Sequence, residues 1–310
     1  MFDFLIGRKH SRKDRQVKVS FRQLKAQVYW QTTDQKVGVR IPAGALSLNY
    51  LGEVSIIRKY LKKFLYSRGF KLTRITKDPD KPIELSDEEN EIIDYVRSHD
   101  LSMCTTLNLQ QTAIAAKYIA INNIPGDFVE CGVFRGGNAL IAAKIFKIHK
   151  SEKKVYLFDT FTGMAEPTVY DFNTRSKSTA LNKYLLQKRE NYTNWAYASI
   201  EEVKGNFQKL NLLTSNVIFV KGKVEDTLDQ ENNIPHTISF LRLDTDWYES
   251  TKKELENLYE KLVPGGILVV DDYGFFDGAR KAFDEYFVKH SPPPFLSVID
   301  GGARIGVKTI

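Results

Sequence analysis

Two cysteines, Cys104 and Cys131, are all that the 310 residues contain. They form no CxxC pair, which excludes a thiolate zinc site and a disulfide framework. No run of roughly 18 apolar residues is present, so no membrane-spanning helix is expected. The opening MFDFLIGRKHSRKDR puts its short apolar patch before its charges, the wrong order for a secretory leader, and a cytoplasmic location is expected. No internal repeat is visible. What remains, 42% hydrophobic and 27% charged, is the balance of a soluble globular protein with a real core.

The formal charge of +7 is uneven. Residues 1–75 hold 17 of the 45 Lys/Arg but only 4 of the 38 Asp/Glu, so this quarter carries +13 and the remainder −6. Within it, AQVYW and VGVRI read as short β-like pieces. Over residues 50–69, Leu51, Val54, Ile57, Leu61, Phe64 and Leu65 recur at helical spacing among Arg58, Lys59, Lys62 and Lys63. Such a helix suits the surface of the main domain, and it also suits peripheral contact with a membrane. Nothing in it matches a nucleic-acid-binding motif. The expected organisation is a basic N-terminal extension (1–75), a linker and helical substrate-side segment (76–126) and a main domain (127–310).

Ser86 with Glu89 is a capping box opening a helix, and a second helix over LNLQQTAIAAKYIAINN stops at Pro125-Gly126. From residue 127 strands and helices alternate: DFVECGV, VYLFDT, NVIFVKG, ISFLRLD and GILVVDDY are strand-like. The alternation predicts an α/β fold, a Rossmann-like, mostly parallel sheet with helices on both faces, closed by an antiparallel hairpin of FLSVID and RIGVKT.

In such folds ligands sit at the carboxyl ends of strands. DFVECGV ends in Glu130, Gly132, Val133 and Phe134, with Gly136 and Gly137 opening the next helix. Phe134 stands where a dinucleotide loop would have its second glycine, so the loop suits a pyrophosphate poorly. Asp159, at the end of the next strand, is placed for ribose hydroxyls. Two acids near the ligand fit a cationic nucleoside, S-adenosylmethionine, better than NAD. Gly222, Lys223 and Val224 end the following strand and are placed to border the adenine, while Glu225-Asp226 equally suit a helix's first turn.

FLRLD ends at Asp244 and GILVVDD at Asp271 and Asp272. Three carboxylates on one rim, with no His or Cys motif beside them, suit a hard ion, Mg²⁺ before Ca²⁺. The alternative is that they cap helices or pair with Arg242 or lysines. A divalent ion there would stabilise an alkoxide and position it for methyl transfer. Asp246, two residues on, is the first candidate for the base, with Asp244 the alternative. The five histidines fall outside these motifs and read as surface residues. Trp247 and Tyr248 read either as an aromatic wall for a sugar ring or as core. The polar segment 169–200 reads as a lid or substrate loop.

IPGDFVECGVFRGGNAL, LFDTFTGMAEPT and FLRLDTDWYESTKKELENLYEKLVPGGILVVDDYG together resemble the macrocin O-methyltransferase (TylF/MycF-like) family from about residue 88 to 308. The resemblance implies a methyltransferase that uses S-adenosylmethionine and Mg²⁺ to methylate a sugar hydroxyl of a glycosylated natural product or saccharide, and a homo-oligomer. The competing readings are a metal-independent methyltransferase on another small acceptor, and a non-catalytic domain docking on membrane or polyanion through its basic N-terminus.

Overall fold

The apolar runs that end in acids form the central strands of one sheet. The computed structural model describes residues 81–290 and 292–309, together with the backbone of five strands within residues 1–80. The chain divides into two units, Met1–Pro79 and Asp80–Ile310. In the first, β1 (Phe4–Arg8) pairs antiparallel with β5 (Phe70–Arg74), and β2 (Gln16–Ser20), β3 (Gln27–Gln31) and β4 (Lys36–Arg40) form an antiparallel sheet. AQVYW and VGVRI overlap β3 and β4. The amphipathic pattern over 50–69, and the membrane contact expected of it, lie outside the described residues.

The second unit is built on seven strands: β6 (Asp127–Cys131), β7 (Val155–Asp159), β8 (Val217–Lys221), β9 (Ile238–Leu243), β10 (Leu262–Val270), β11 (Leu296–Val298) and β12 (Arg304–Val307). Their order is β11-β12-β10-β9-β6-β7-β8. β12 runs antiparallel to both its neighbours, and the other pairings are parallel. The strand order reverses between β6 and β9, which opens a crevice beyond their carboxyl ends. This is the mostly parallel α/β sheet with a terminal hairpin that the alternation predicts.

Period-two alternation sorts the strand residues onto two faces. Phe128 and Phe240 face a core shared with α1 (Asp87–Ser98), α2 (Thr106–Ile121), α3 (Gly137–Ile148) and α5 (Ile200–Lys209). Val129, Cys131, Leu241 and Leu243 face α6 (Val224–Thr227), α7 (Tyr248–Leu258) and α8 (Asp277–Lys289). A short helix, α4 (Ala180–Gln187), lies in the polar segment after β7. Among the described residues no helix is long and apolar enough to cross a membrane.

α1 begins with the expected capping box: Glu89 N–H donates to Ser86 Oγ at 3.2 Å, and Ser86 N–H to Glu89 Oε2 at 2.6 Å. Glu89 does more than cap. It is buried, and it accepts from Lys117 Nζ on α2 at 2.9 Å and pairs with His149 Nε2 beyond α3 at 2.6 Å. His149 is therefore part of the tie between three helices and not a free surface residue.

Candidate functional site

The sheet ladder carries the acids to one place. Asp244 N–H donates to Cys131 O at 2.8 Å and Asp271 N–H to Leu243 O at 2.9 Å, so the tips of β6, β9 and β10 stand side by side. A cavity of about 340 Å³ opens over them. Glu130, Gly132, Val133, Phe134, Asp159, Gly222, Lys223, Val224, Asp244, Asp246, Asp271 and Asp272 all line it. Of the residues singled out in the sequence, Gly136 does not. It serves the turn into α3, at φ 89°, a left-handed conformation that favours glycine.

The loop after β6 is shaped by two contacts. Gly132, at φ 87°, lies so near the β9 tip that a Cβ would stand 1.9 Å from Asp244 O. Asp159 accepts from Val133 N–H at 2.7 Å and Phe134 N–H at 3.2 Å with one oxygen, and from Phe161 N–H at 2.7 Å with the other. Its carboxylate clamps the loop as well as facing the cavity. Burial raises its pKa, against the lowering effect of these hydrogen bonds.

The centre of the site is Arg242, the one charge inside β9 and fully buried. In register it lies opposite Glu130 on β6, and Nε donates to Glu130 Oε1 at 3.1 Å. Nη2 donates to Asp244 Oδ2 at 2.6 Å and to Asp271 Oδ1 at 2.7 Å. Asn108 on α2 braces the group, accepting from Nη1 at 3.0 Å and donating to Asp271 Oδ1 at 2.6 Å. Cys104 Sγ lies 3.1 Å from Nη2, and among the described residues the set whose ligand atoms fall within 4.8 Å of one another is Cys104, Asp244 and Asp271. Asp272 is not in that set. It stands beside Asp246, whose charge adds to burial in raising its pKa. The acids thus form two pairs, Asp244 with Asp271 over the guanidinium and Asp246 with Asp272 beside it.

Asp246 sits at φ 69°, in the left-handed region that few residues other than glycine, asparagine and aspartate enter. Burial, then the neighbouring Asp244, pushes its pKa up to about 8. Burial and the adjacent Asp271 drive Asp244 upward, and burial with Asp246 does the same to Asp272. Glu130 is pushed up to about 8 by burial, which outweighs Arg242. One guanidinium does not neutralise five acids. Glu130 Oε2 and Asp272 Oδ2 are buried with no hydrogen-bond partner. Oxygen donors in excess of protein cations, two of them orphaned, fit a hard divalent ion and a positively charged ligand in the same cavity.

The polar segment supplies Asn173, Lys183 and Trp195 to the cavity lining, which also includes Phe275 and Phe276. Lys183 Nζ stands 3.6 Å above the Trp195 ring. Trp247 is buried, edge-on to Trp195 and Phe276, and belongs to the core. Tyr248 turns away to hydrogen-bond Glu285 at 2.7 Å. Sequence reasoning missed Asn108 and Lys183. Arg242 entered only as an alternative partner for the acids, although a lone charge in an apolar strand is itself a signal.

A doubly wound sheet with a cavity at its switch point and a carboxylate-rich rim defines a ligand-binding α/β domain. The chain belongs to the macrocin-O-methyltransferase (TylF) family, whose model matches residues 63–304. It is 32% identical over 184 residues to the 8-demethyl-8-(2,3-dimethoxy-alpha-L-rhamnosyl)-tetracenomycin-C 4'-O-methyltransferase of Streptomyces olivaceus. It is 36% identical over 180 residues to the demethyldecarbamoylnovobiocin O-methyltransferase of Streptomyces niveus. These matches span 59% and 58% of this chain, and 66% and 64% of the relatives' own length. Among solved structures, the O-methyltransferase NovP superposes with a TM-score of 0.59 at 30% identity, covering 67% of this chain and 82% of that one.

Proposed function

We propose that the protein transfers a methyl group from S-adenosylmethionine to a sugar hydroxyl of a glycosylated natural product or saccharide. In this reading Asp244, Asp271 and Asp272 hold Mg²⁺, and Asp246 is the base. The observation that carries it is the paired arrangement of the four aspartates at the tips of β9 and β10, in one cavity with the loop after β6. The tetracenomycin relative, whose name carries a rhamnosyl group, supports the sugar class.

When bound, the donor supplies an electrophilic methyl and the cation supplies positive charge for the acceptor oxygen. The chain's own residues do the rest. The pinned loop of Gly132, Val133 and Phe134, with Asp159 and Glu130, receives the cationic nucleoside, and Gly222, Lys223 and Val224 border its base. Arg242 holds one oxygen each of Asp244 and Asp271 and so fixes their free oxygens toward the cavity. Asp246 takes the hydroxyl proton. The products are a methyl ether, S-adenosylhomocysteine and one proton, which balances the reaction.

The test is methyl transfer from labelled S-adenosylmethionine to a panel of glycosides. Turnover should vanish with EDTA and return with Mg²⁺. Turnover that survives chelation would favour the metal-independent alternative. The homo-oligomer implied by the resemblance is checked by light scattering, and peripheral membrane contact by vesicle sedimentation of the full chain.

A further inference from the structure

Helix α7 follows directly from the loop that carries Asp244 and Asp246, yet its own N-cap residue, Trp247, makes no side-chain capping hydrogen bond to the helix. The first turn of a helix leaves N–H groups to be satisfied from elsewhere. Here Tyr248 N–H donates to Asp171 Oδ1 at 2.8 Å, from a residue 77 positions earlier in the polar segment after β7. Asp171 is fully buried, and its other oxygen accepts from Thr168 N–H at 2.6 Å and Thr168 Oγ1 at 2.9 Å. The same carboxylate lies against the start of α8, the helix that follows Asp271 and Asp272. A Cβ on Gly278 would stand 1.9 Å from Asp171 Oδ1. A carboxylate at two helix N-termini is favoured by both dipoles.

The segment around Asp171 is stitched to the same two helix starts. Trp247 Nε1 donates to Ala165 O at 2.9 Å, Thr174 N–H to Phe275 O at 2.8 Å and Asp277 N–H to Phe172 O at 2.9 Å. The chain then runs on into α4 and to Lys183 and Trp195, which line the cavity.

We propose that Asp171 is a positioning residue that caps α7 from the lid segment and thereby locks the acceptor wall, residues 165–195, to the turn holding Asp246. The inference rests on the methyl-transfer reading for its catalytic consequence, but not for its structural one. Its removal should disturb Asp246 and the acceptor wall while leaving the donor pocket, whose walls come from the tips of β6, β7 and β8.

Three variants test this: Asp171→Ala, Asp171→Asn, which keeps an oxygen for Tyr248 N–H, and Gly278→Ala, which crowds the carboxylate out. In Asp171→Ala and Gly278→Ala, kcat for the acceptor should fall by on the order of tenfold to a hundredfold, as for a misplaced reacting group. Affinity for S-adenosylhomocysteine should stay within about twofold, the sites being separate. Asp171→Asn should recover much of the loss. Hydrogen exchange without any substrate should quicken at Tyr248 and across 166–178 in all three, least in Asp171→Asn, and stay unchanged at 132–137. Unchanged exchange at Tyr248, or S-adenosylhomocysteine affinity falling in step with kcat, overturns the proposal. If wild-type protein methylates no sugar, the functional reading fails alone, and exchange still decides the role of Asp171. Should Asp171→Ala not fold, Asp171→Asn and the exchange measurement decide it.

Discussion

Glu130 and Arg242 face each other across neighbouring strands, Oε1 3.1 Å from Nε, and both are sealed from solvent. The guanidinium that holds Glu130 also reaches Asp244 and Asp271, so one buried cation organises the acids of three strand tips.

Removing that cation should be costly to the fold. Arg242→Met leaves buried carboxylates uncompensated, and a loss of about 3–5 kcal/mol is expected for breaking a buried pair from one side. Urea denaturation measures it. Adding Glu130→Gln should return part of the loss, so that the double variant is more stable than the two single effects summed would allow.

Asp246→Asn keeps the size and much of the hydrogen bonding of the side chain but cannot accept a proton. Its kcat should drop by roughly 10²–10⁴, the usual contribution of a general base. Calorimetry should find the affinity for S-adenosylhomocysteine little changed. A variant with near-normal turnover would pass the role of base to Asp244.

Mg²⁺ should raise the unfolding midpoint of the otherwise ligand-free protein, because it binds the folded acid cluster and not the open chain. At a hundred times its Kd the gain is about 2.7 kcal/mol. Asp271→Asn should abolish the Mg²⁺-dependent rise in a thermal melt, while the melt without metal need not fall, since one repelling charge has gone.

Gly132→Ala tests the contact between the donor loop and the β9 tip. A methyl group 1.9 Å from Asp244 O forces the two apart, at a position whose φ of 87° already disfavours a side chain. Both S-adenosylhomocysteine affinity and turnover should fall, with a stability loss of about 1–3 kcal/mol, as for overpacking.

Acid should loosen the helical layer through Glu89. Burial works to raise its pKa, but hydrogen bonds from Lys117, His149 and the Ser86 N–H outweigh it and hold the carboxyl down at about 2, from 4.5. A lowered folded-state pKa means that the stabilisation is fully present above 4.5 and is lost as pH falls from there through about 2. Stability against pH should therefore slope less steeply over that window in Glu89→Gln than in the parent, as measured by denaturant melts.

The strands from residue 127 onward were legible because apolar runs ending in acids alternate with helical stretches. The four aspartates were legible because acids at strand tips fall on one rim of such a sheet. Their division into pairs was not, since it depends on where Arg242 points. That Arg242 meets Glu130 follows from β9 lying beside β6, a long-range pairing that no local pattern encodes. Asp171 was hidden for a related reason. In a polar segment one more aspartate carries no sign that it will be buried against helices 77 and 107 residues further on, at Tyr248 and Gly278. Glu89 was recognised as a cap, but its pairing with Lys117 and His149 joins helices whose packing the sequence does not state.

The clamp formed by Asp159 on the N–H groups of Val133 and Phe134 has an energetic corollary. A nucleoside arriving at the β6 tip meets walls already set by the protein's own carboxylate, and little of its contact energy is spent on ordering backbone. On the proposed reading, such a ready-made pocket favours tight retention of the spent donor.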